Sequence, residues 1–416
     1  MMVHSEVVST ILRRVAHDQL ASPPVRRSSR DAFRLQGRSA LVRWLISFGT
    51  FGIPQAATPI AFALLTLPLT GRAEDGATMV LAMTLAQVVG AIPVSRPGRR
   101  FNAVTYLRWL IAVRTIALGL VALLAALGAP LGFLIGSAAI GGVVNGAAYG
   151  YQRSILNHLV RPSSLPRALG IAATLNEVVF AVAPVLAAVL GSLSPTLAMF
   201  AIVVLGALPL VLVPSVPDAK SSAPAGSGMS LLTPPVLMWL LCAAASSAAV
   251  ASVEISAVAL ALSFDLDPTW AFVFTGAVCV ASVSGGVCVS VRNRRSRPTE
   301  VVCFLAATMV GAVLVSSRWD LAPTLLGAVL IGFFLPLLGT HYSLVLDDLA
   351  PDGRRAEIFA LLRTSTAVGI IVVSGLLATA GLRGASLGSA ALMVMSTCIV
   401  AAAVLRRAGV LGRESR

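Results

Sequence analysis

The chain has 416 residues, 57% of them hydrophobic and only 12% charged, with a mean hydropathy of +0.90 and a formal net charge of +14. A soluble domain carries about twice that charged fraction, and a disordered chain is poor in apolar residues, so both classes are excluded. What remains is a polytopic membrane protein, assembled from runs of roughly 20 apolar residues that cross a hydrocarbon core of about 30 Å.

Residues 1–43 hold eight arginines and no apolar h-region, so a basic tail is expected there rather than a cleavable signal peptide. Val7, Ile11, Val15 and Leu20 recur at helical spacing with Arg13 and Arg14 among them. A surface-lying amphipathic helix and a disordered tail both fit that pattern. Twelve apolar runs follow, at 45–70, 76–94, 101–127, 131–152, 168–191, 196–213, 235–262, 269–290, 300–316, 321–346, 357–380 and 385–405. Each is expected to cross as a helix, which satisfies its own backbone hydrogen bonds in lipid. Trp44, Trp239, Trp270 and Trp319 fall at or beside span ends, where indole rings anchor at the headgroups.

The basic residues are 30 arginines and one lysine, Lys220, a composition typical of high-GC bacterial coding. Sorted by loop, 26 of them fall on the side of the two termini, with Arg153 and Arg363 counted among these. Three fall on the other side, and Arg108 and Arg114 lie inside the third span. This bias places both termini in the cytoplasm and assigns the surplus charge to topology, not to a nucleic-acid partner. Cys242, Cys279, Cys288, Cys303 and Cys398 all lie in apolar runs without metal or redox spacing, so neither a metal nor a disulfide is expected. No Walker motif, HExxH or nucleophile elbow is present, and neither a catalytic role nor a cofactor is expected.

The longest hydrophilic connection, 214–234, is rich in Pro, Ser and Gly and reads as a flexible linker. It separates a half at 44–213 from a half at 235–405, leaving a short basic tail at 406–416. The halves repeat: Arg161-Pro162 with LPRALGIAATL recurs as Ala350-Pro351 with RRAEIFALLRT, an offset of 188 between Ala168 and Ala356. The basic loop at 96–100 likewise recurs at 292–297. The expected fold is an all-α membrane protein of twelve transmembrane helices in two pseudo-symmetric six-helix halves, with a site between them near the midplane.

Residues Ala91 to Arg100 read AIPVSRPGRR. They resemble the G-x-x-x-D-R-x-G-R-R loop between the second and third helices of the major facilitator superfamily. Arg96, Gly98, Arg99 and Arg100 match; Ala91 and Ser95 replace the glycine and the aspartate. A tight glycine turn carrying guanidinium groups latches one end of the molecule through charge-assisted bonds, and Ser95 removes the loop's own carboxylate. The fifth span resembles the G-x8-G-x3-G-P-x2-G-G stripe of the superfamily's drug–proton antiporters. Gly170 and Pro184 are retained, while Val179, Ala183, Ala187 and Ala188 replace glycines, so close helix packing is preserved by small residues. An arginine expected in the fourth helix of such antiporters is absent. The resemblance covers about 45–405 and implies a secondary transporter.

An ionisable group in hydrocarbon costs about 2.5–3.5 kcal/mol on insertion scales and marks a candidate site. Glu177 in the fifth span and Glu254 in the seventh are the candidates for proton coupling. A carboxyl group in apolar surroundings takes up a proton more readily, which permits a cycle of loading and release. The alternative for Glu177 is an ion pair or a place in the packing stripe, and for Glu254 simple contact with water. Arg114 is expected to pair with a carboxylate or with backbone carbonyls, and Arg108 to snorkel. Gln55, between Pro54 and Pro59, together with Asn145 and Asn176, are candidate cavity contacts, with helix-to-helix hydrogen bonding as the alternative. His158 and His341 read as interfacial, with a proton relay as the minor reading. The expected function is export of a small, partly apolar compound by proton antiport in a bacterial cytoplasmic membrane. The chain would work as a monomer whose partners are lipid, substrate and protons. Uptake, facilitated diffusion and a non-transporting receptor or assembly scaffold remain as alternatives.

Overall fold

The structure, a computed structural model, describes residues 29–72, 74–216, 231–267, 270–351 and 353–414. The amphipathic stretch at 6–20, Lys220 and most of the expected linker at 214–234 lie outside the described residues. The first half comprises α1 (Ser29–Thr70), α2 (Glu74–Ser95), α3 (Ala103–Ala126), α4 (Leu131–Leu159), α5 (Leu165–Leu193) and α6 (Pro195–Ala207, continued as Pro209–Leu212). The second comprises α7 (Pro234–Glu254, continued as Ala257–Ser263), α8 (Ala271–Arg292), α9 (Pro298–Ser317), α10 (Leu321–Leu349) and the run Arg355–Glu414. That run is interrupted at Gly381, where φ is 66° and ψ is −166°. Only glycine adopts such backbone without strain. Gly388 then lies against Leu376, so the chain reverses, and the segments 355–380 and 382–414 are α11 and α12. Eleven helical runs among the described residues are long and apolar enough to cross a membrane, the last of them containing both α11 and α12. All twelve expected spans are therefore helices.

Local sequence sets where these helices begin and bend. Asn102 caps α3 by accepting from the Val104 N–H at 2.9 Å, and Asp320 caps α10 by accepting from the Leu321 N–H at 2.7 Å. Glu300 accepts from the Arg297 N–H at 3.1 Å in the first turn of α9. Pro209 has no N–H to donate, and α6 bends beside it at Leu208. The seventh span, expected to be unbroken, stops at Glu254 and resumes at Ala257, which sets a carboxylate at a helix end.

Each half has its own apolar core. One cluster runs from Leu231 to Val400; two others are built from Trp44 to Val213, joined only by Leu344 and Ala356 from the second half. The outer faces stay apolar as well, with Ile116, Phe133, Val189, Phe272 and Leu387 exposed, as lipid contact requires. Within the first half α2 and α4 touch backbone to backbone: a Cβ on Gly142 would overlap the Met83 carbonyl, and one on Gly90 the Val143 carbonyl. Gly142→Val is therefore expected to cost about 1–3 kcal/mol by overpacking. The check is the thermal unfolding midpoint of the solubilised protein, which should fall clearly below wild type.

Candidate functional site

The halves are joined at the end that carries the basic loops. In the first turn of α5 the Arg167 N–H has no intrahelical acceptor; it donates to Asn293 Oδ1 at 3.0 Å, and the Arg167 side chain donates to the Ser290 carbonyl at 3.3 Å. Asn293 itself is left-handed, with φ 41°, and ends α8. Gly170 admits Gly286 and Ser290 of α8 at backbone distance, and Gly150 of α4 admits the Ala356 carbonyl of α11. Between α4 and α10, Arg153 donates to Ser343 Oγ at 3.2 Å and Asn157 to Asp347 Oδ1 at 2.7 Å. Both pairs are separated by 190 residues. That is close to the repeat offset, so near-equivalent positions meet on the pseudo-two-fold axis.

The loop after α2 completes this closure. Pro97–Arg100 is a 3-10 turn, and Gly98 is buried beneath Tyr106 and Tyr151, leaving no room for a Cβ. Close approach, not backbone angle, requires the glycine. Tyr151 donates to the Ser95 carbonyl at 2.7 Å and Tyr106 to the Val94 carbonyl at 2.6 Å. Arg99 pairs with Glu357 on α11, whose second oxygen accepts from Arg354 at 3.1 Å. The carboxylate that Ser95 lacks is thus supplied by the other half. Glu357 is buried, and sequence reasoning missed it; its signal was an acidic residue opening an apolar run directly after Arg354 and Arg355.

Above the closure a cavity of about 300 Å³ lies between α1, α4 and α5 on one side and α7, α10 and α11 on the other. The structure places Glu177, Glu254, Gln55 and Asn176 on its wall. Glu177 is half-buried and lies close to Ser282 of α8; Glu254 is exposed. The two carboxylates come from different halves and are near enough to interact electrostatically. Neither has an ion-pair partner among the described residues.

Asn145 sits one side chain behind the wall. Its amide donates to Gln55 Oε1 at 3.0 Å and to Gln87 Oε1 at 2.7 Å, and its oxygen accepts from Arg114 at 3.0 Å. Arg114 also donates to the carbonyls of Phe51 (3.1 Å) and Gly206 (3.0 Å), with its guanidinium 4.1 Å from the centre of the Phe51 ring. Its partners among the described residues are neutral acceptors, with no acidic side chain. Arg108 donates to the Val213 carbonyl at 3.0 Å, at the end of α6. On α5, Ala183 and Ala187 are buried, Pro184 is half-buried and Ala188 is exposed, while Gly170 serves the contact with α8.

Three sequence assignments change. Trp44 is fully buried on the cavity wall, donating to the Gln152 carbonyl at 2.9 Å, and is not a headgroup anchor. Trp270 and Trp319 are exposed, whereas Trp239 packs edge-on against His341 with ring centres 4.9 Å apart. Arg153 and Arg363, counted among the loop charges, lie within α4 and α11 and line the cavity. Each guanidinium covers an aromatic ring, Arg153 that of Phe359 at 4.5 Å and Arg363 that of Tyr149 at 5.4 Å.

Residues 40–374 match the sequence model of the Major Facilitator Superfamily. The chain belongs to that superfamily. No curated protein matches it in sequence. Among solved structures, a bacterial homologue of the iron transporter ferroportin, in an outward-facing state with soaked iron, superposes with a TM-score of 0.71 at 16% identity. That match covers 88% of this chain and 98% of that one. A variant of the E. coli fucose:proton symporter FucP gives 0.70 at 13% identity, covering 86% and 97%. The proton:xylose symporter XylE, bound to 6-bromo-6-deoxy-D-glucose, gives 0.69 at 12% identity, covering 87% and 94%. At these identities the likeness is one of fold. The superfamily fold is that of a multi-pass membrane transporter, and it implies a bilayer around the chain and a small-molecule substrate.

Proposed function

We propose that the protein is a secondary transporter that exports a small, partly apolar compound across a bacterial cytoplasmic membrane in exchange for protons. The observation that carries this reading is a central cavity holding two carboxylates, Glu177 and Glu254, one from each half and neither ion-paired among the described residues. A proton on either one removes the repulsion between them, and substrate entry or rocking of the halves changes that repulsion. Occupancy and protonation are then linked without further machinery. The basic loops face the cytoplasm by the positive-inside bias, so the contacts at that end make this an inward-closed state. Alternating access requires the Arg99–Glu357, Arg153–Ser343 and Asn157–Asp347 contacts to break together as the halves rock.

The test is substrate-induced proton movement in everted vesicles, with a panel of lipophilic acids, neutral compounds and cations. Wild type is expected to collapse an imposed proton gradient with at least one of them. Glu177→Gln and Glu254→Gln should lose that coupling to background while still exchanging labelled substrate. Labelled solute equilibrating in wild type without proton movement would replace antiport by facilitated diffusion. Accumulation inside right-side-out vesicles would reverse the direction.

A further inference from the structure

The inner part of the cavity carries two guanidinium groups that form no ion pair among the described residues. Arg363 lines it and is half-buried, and its side chain makes neither a hydrogen bond nor an ion pair among the described residues; its one close partner is the face of Tyr149. Arg153 is almost wholly buried in the same wall, and its Nη2, closed off from the surface, has no hydrogen-bond acceptor among the described residues. Its other nitrogens donate to Ser343 and to Asn157, both neutral. Asp347 lies within electrostatic reach of Arg153, but its carboxylate is already engaged by Arg355 at 3.2 Å and by Asn157 at 2.7 Å. Holding guanidinium groups in a low-dielectric site without an anion is costly, and two of them in one cavity add mutual repulsion.

The charges are also ordered along the cavity. At 1.5 Å per residue, Arg153 and Arg363 lie roughly 9 and 12 Å from the basic-loop ends of their helices. Glu177 lies roughly 18 Å and Glu254 roughly 30 Å from that end. Neither carboxylate therefore serves as a counter-ion for the arginines in this state. The cavity wall also carries aromatic rings, Trp44, Phe48, Phe180 and Tyr342.

We infer that the inner part of the cavity is an anion subsite, holding the carboxylate of a small, flat organic acid against Arg363, with the charge of Arg153 buried in the wall beside it and the acid's apolar body against the aromatic rings. A guanidinium fork matches a carboxylate in two parallel hydrogen bonds, which an ammonium cannot do. The space of about 300 Å³ is at the small end of ligand pockets, enough for one or two fused rings. The bound acid supplies the missing counter-charge, and its negative end is kept away from Glu177 and Glu254. This deepens the transporter reading and rests on that cavity being the substrate site, but it does not depend on proton coupling.

The experiment is equilibrium binding to the purified full-length protein in lipid nanodiscs, with three probes on one ring system: 2-naphthoate, its planar neutral match 2-naphthamide, and the cation 2-naphthyltrimethylammonium. Wild type is expected to bind the carboxylate about tenfold or more tighter than the amide, the range of a charge-assisted hydrogen-bond pair, and the cation least. Arg363→Gln should shrink the difference between carboxylate and amide, weakening the carboxylate far more than the amide, and Arg363→Lys should restore part of it. Equal binding of the three probes, preference for the cation, or no binding of the carboxylate overturns the inference. A uniform loss of all binding in Arg363→Gln assigns the residue to helix packing and overturns it too. Because no gradient is applied, failure of antiport in the vesicle assay leaves this result standing. Failure of the anion preference, in turn, leaves the roles of Glu177 and Glu254 to be judged by proton flux alone.

Discussion

Glu357→Gln is expected to open the basic-loop end of the protein. The Glu357 carboxylate is buried and accepts from two guanidinium groups, Arg99 in the loop after α2 and Arg354 at the start of α11. An amide of the same size keeps the volume, loses the charge, and turns one acceptor into a donor that faces other donors. Breaking one partner out of a buried ion pair costs about 3–5 kcal/mol, because the remaining charges stay desolvated. The Arg99–Glu357 pair bridges the halves only while this end is closed. That cost therefore falls on the closed state and not on folding of either half. With tenfold per 1.4 kcal/mol, the balance between closed and open forms moves by roughly two to four orders of magnitude.

Spin labels on Leu159→Cys and Leu349→Cys, at the ends of α4 and α10 and in a background without other cysteines, give the readout. Wild type should show a dominant short distance across the halves, and Glu357→Gln a dominant longer one. Adding Arg99→Gln to Glu357→Gln should do little more, since the two residues share one interaction. An unchanged distance distribution in Glu357→Gln would show that the ion pair is not what holds this end shut. The neighbouring contacts, Arg153 with Ser343 and Asn157 with Asp347, would then carry the closure.

The sequence made the helices legible because lipid demands long apolar runs, and such runs are hard to mistake. Their inner ends were not legible for a related reason. The apolar stretch of the fourth span ends at 152, but α4 continues to Leu159, where Arg153 and Asn157 bond to Ser343 and Asp347 on α10. A span read from hydropathy stops where the apolar residues stop, whereas a helix packed against a partner continues for as long as that partner satisfies its polar groups. The same blindness sorted Arg153 and Arg363 with the loops, although Arg363 lay inside the eleventh apolar run. Loop counting treats an arginine as a topology signal and cannot see that a partner helix buries it. Glu177 and Glu254 stood out because an acid in an apolar run has no such routine explanation. Trp44 was misplaced by a rule about span ends that holds for lipid-facing indoles and fails for one turned inward. For Asn145 the sequence left a cavity contact and a helix-to-helix hydrogen bond open, and only the side-chain geometry shows it turned toward Arg114 and Gln87.

Arg114→Met is expected to destabilise the first half by about 3–5 kcal/mol, the cost of disrupting a buried charged network by removing one member. Arg114 gathers α1, α4 and α6 around α3 through the Phe51 carbonyl, Asn145 and the Gly206 carbonyl. Methionine fills the space but leaves these acceptors without donors in a region that water does not reach, and each such orphan costs about 1–3 kcal/mol. Arg114→Lys should rescue only part of the loss, because a single ammonium on a flexible stem cannot reproduce the planar fork that serves three acceptors at once. Asn145→Leu should cost less than Arg114→Met, since the guanidinium keeps both backbone carbonyls. The thermal unfolding midpoint in detergent is the measurement, and equal midpoints for wild type and Arg114→Met would remove Arg114 from the packing of this half. The network also reaches the cavity, because Asn145 holds the Gln55 side chain that lines it. Arg114→Lys, which keeps the charge and some of the fold, should therefore weaken substrate affinity through a residue that never touches substrate. Gln55→Leu in the same assay should produce a similar loss without the drop in stability, which separates the wall of the site from the scaffold behind it.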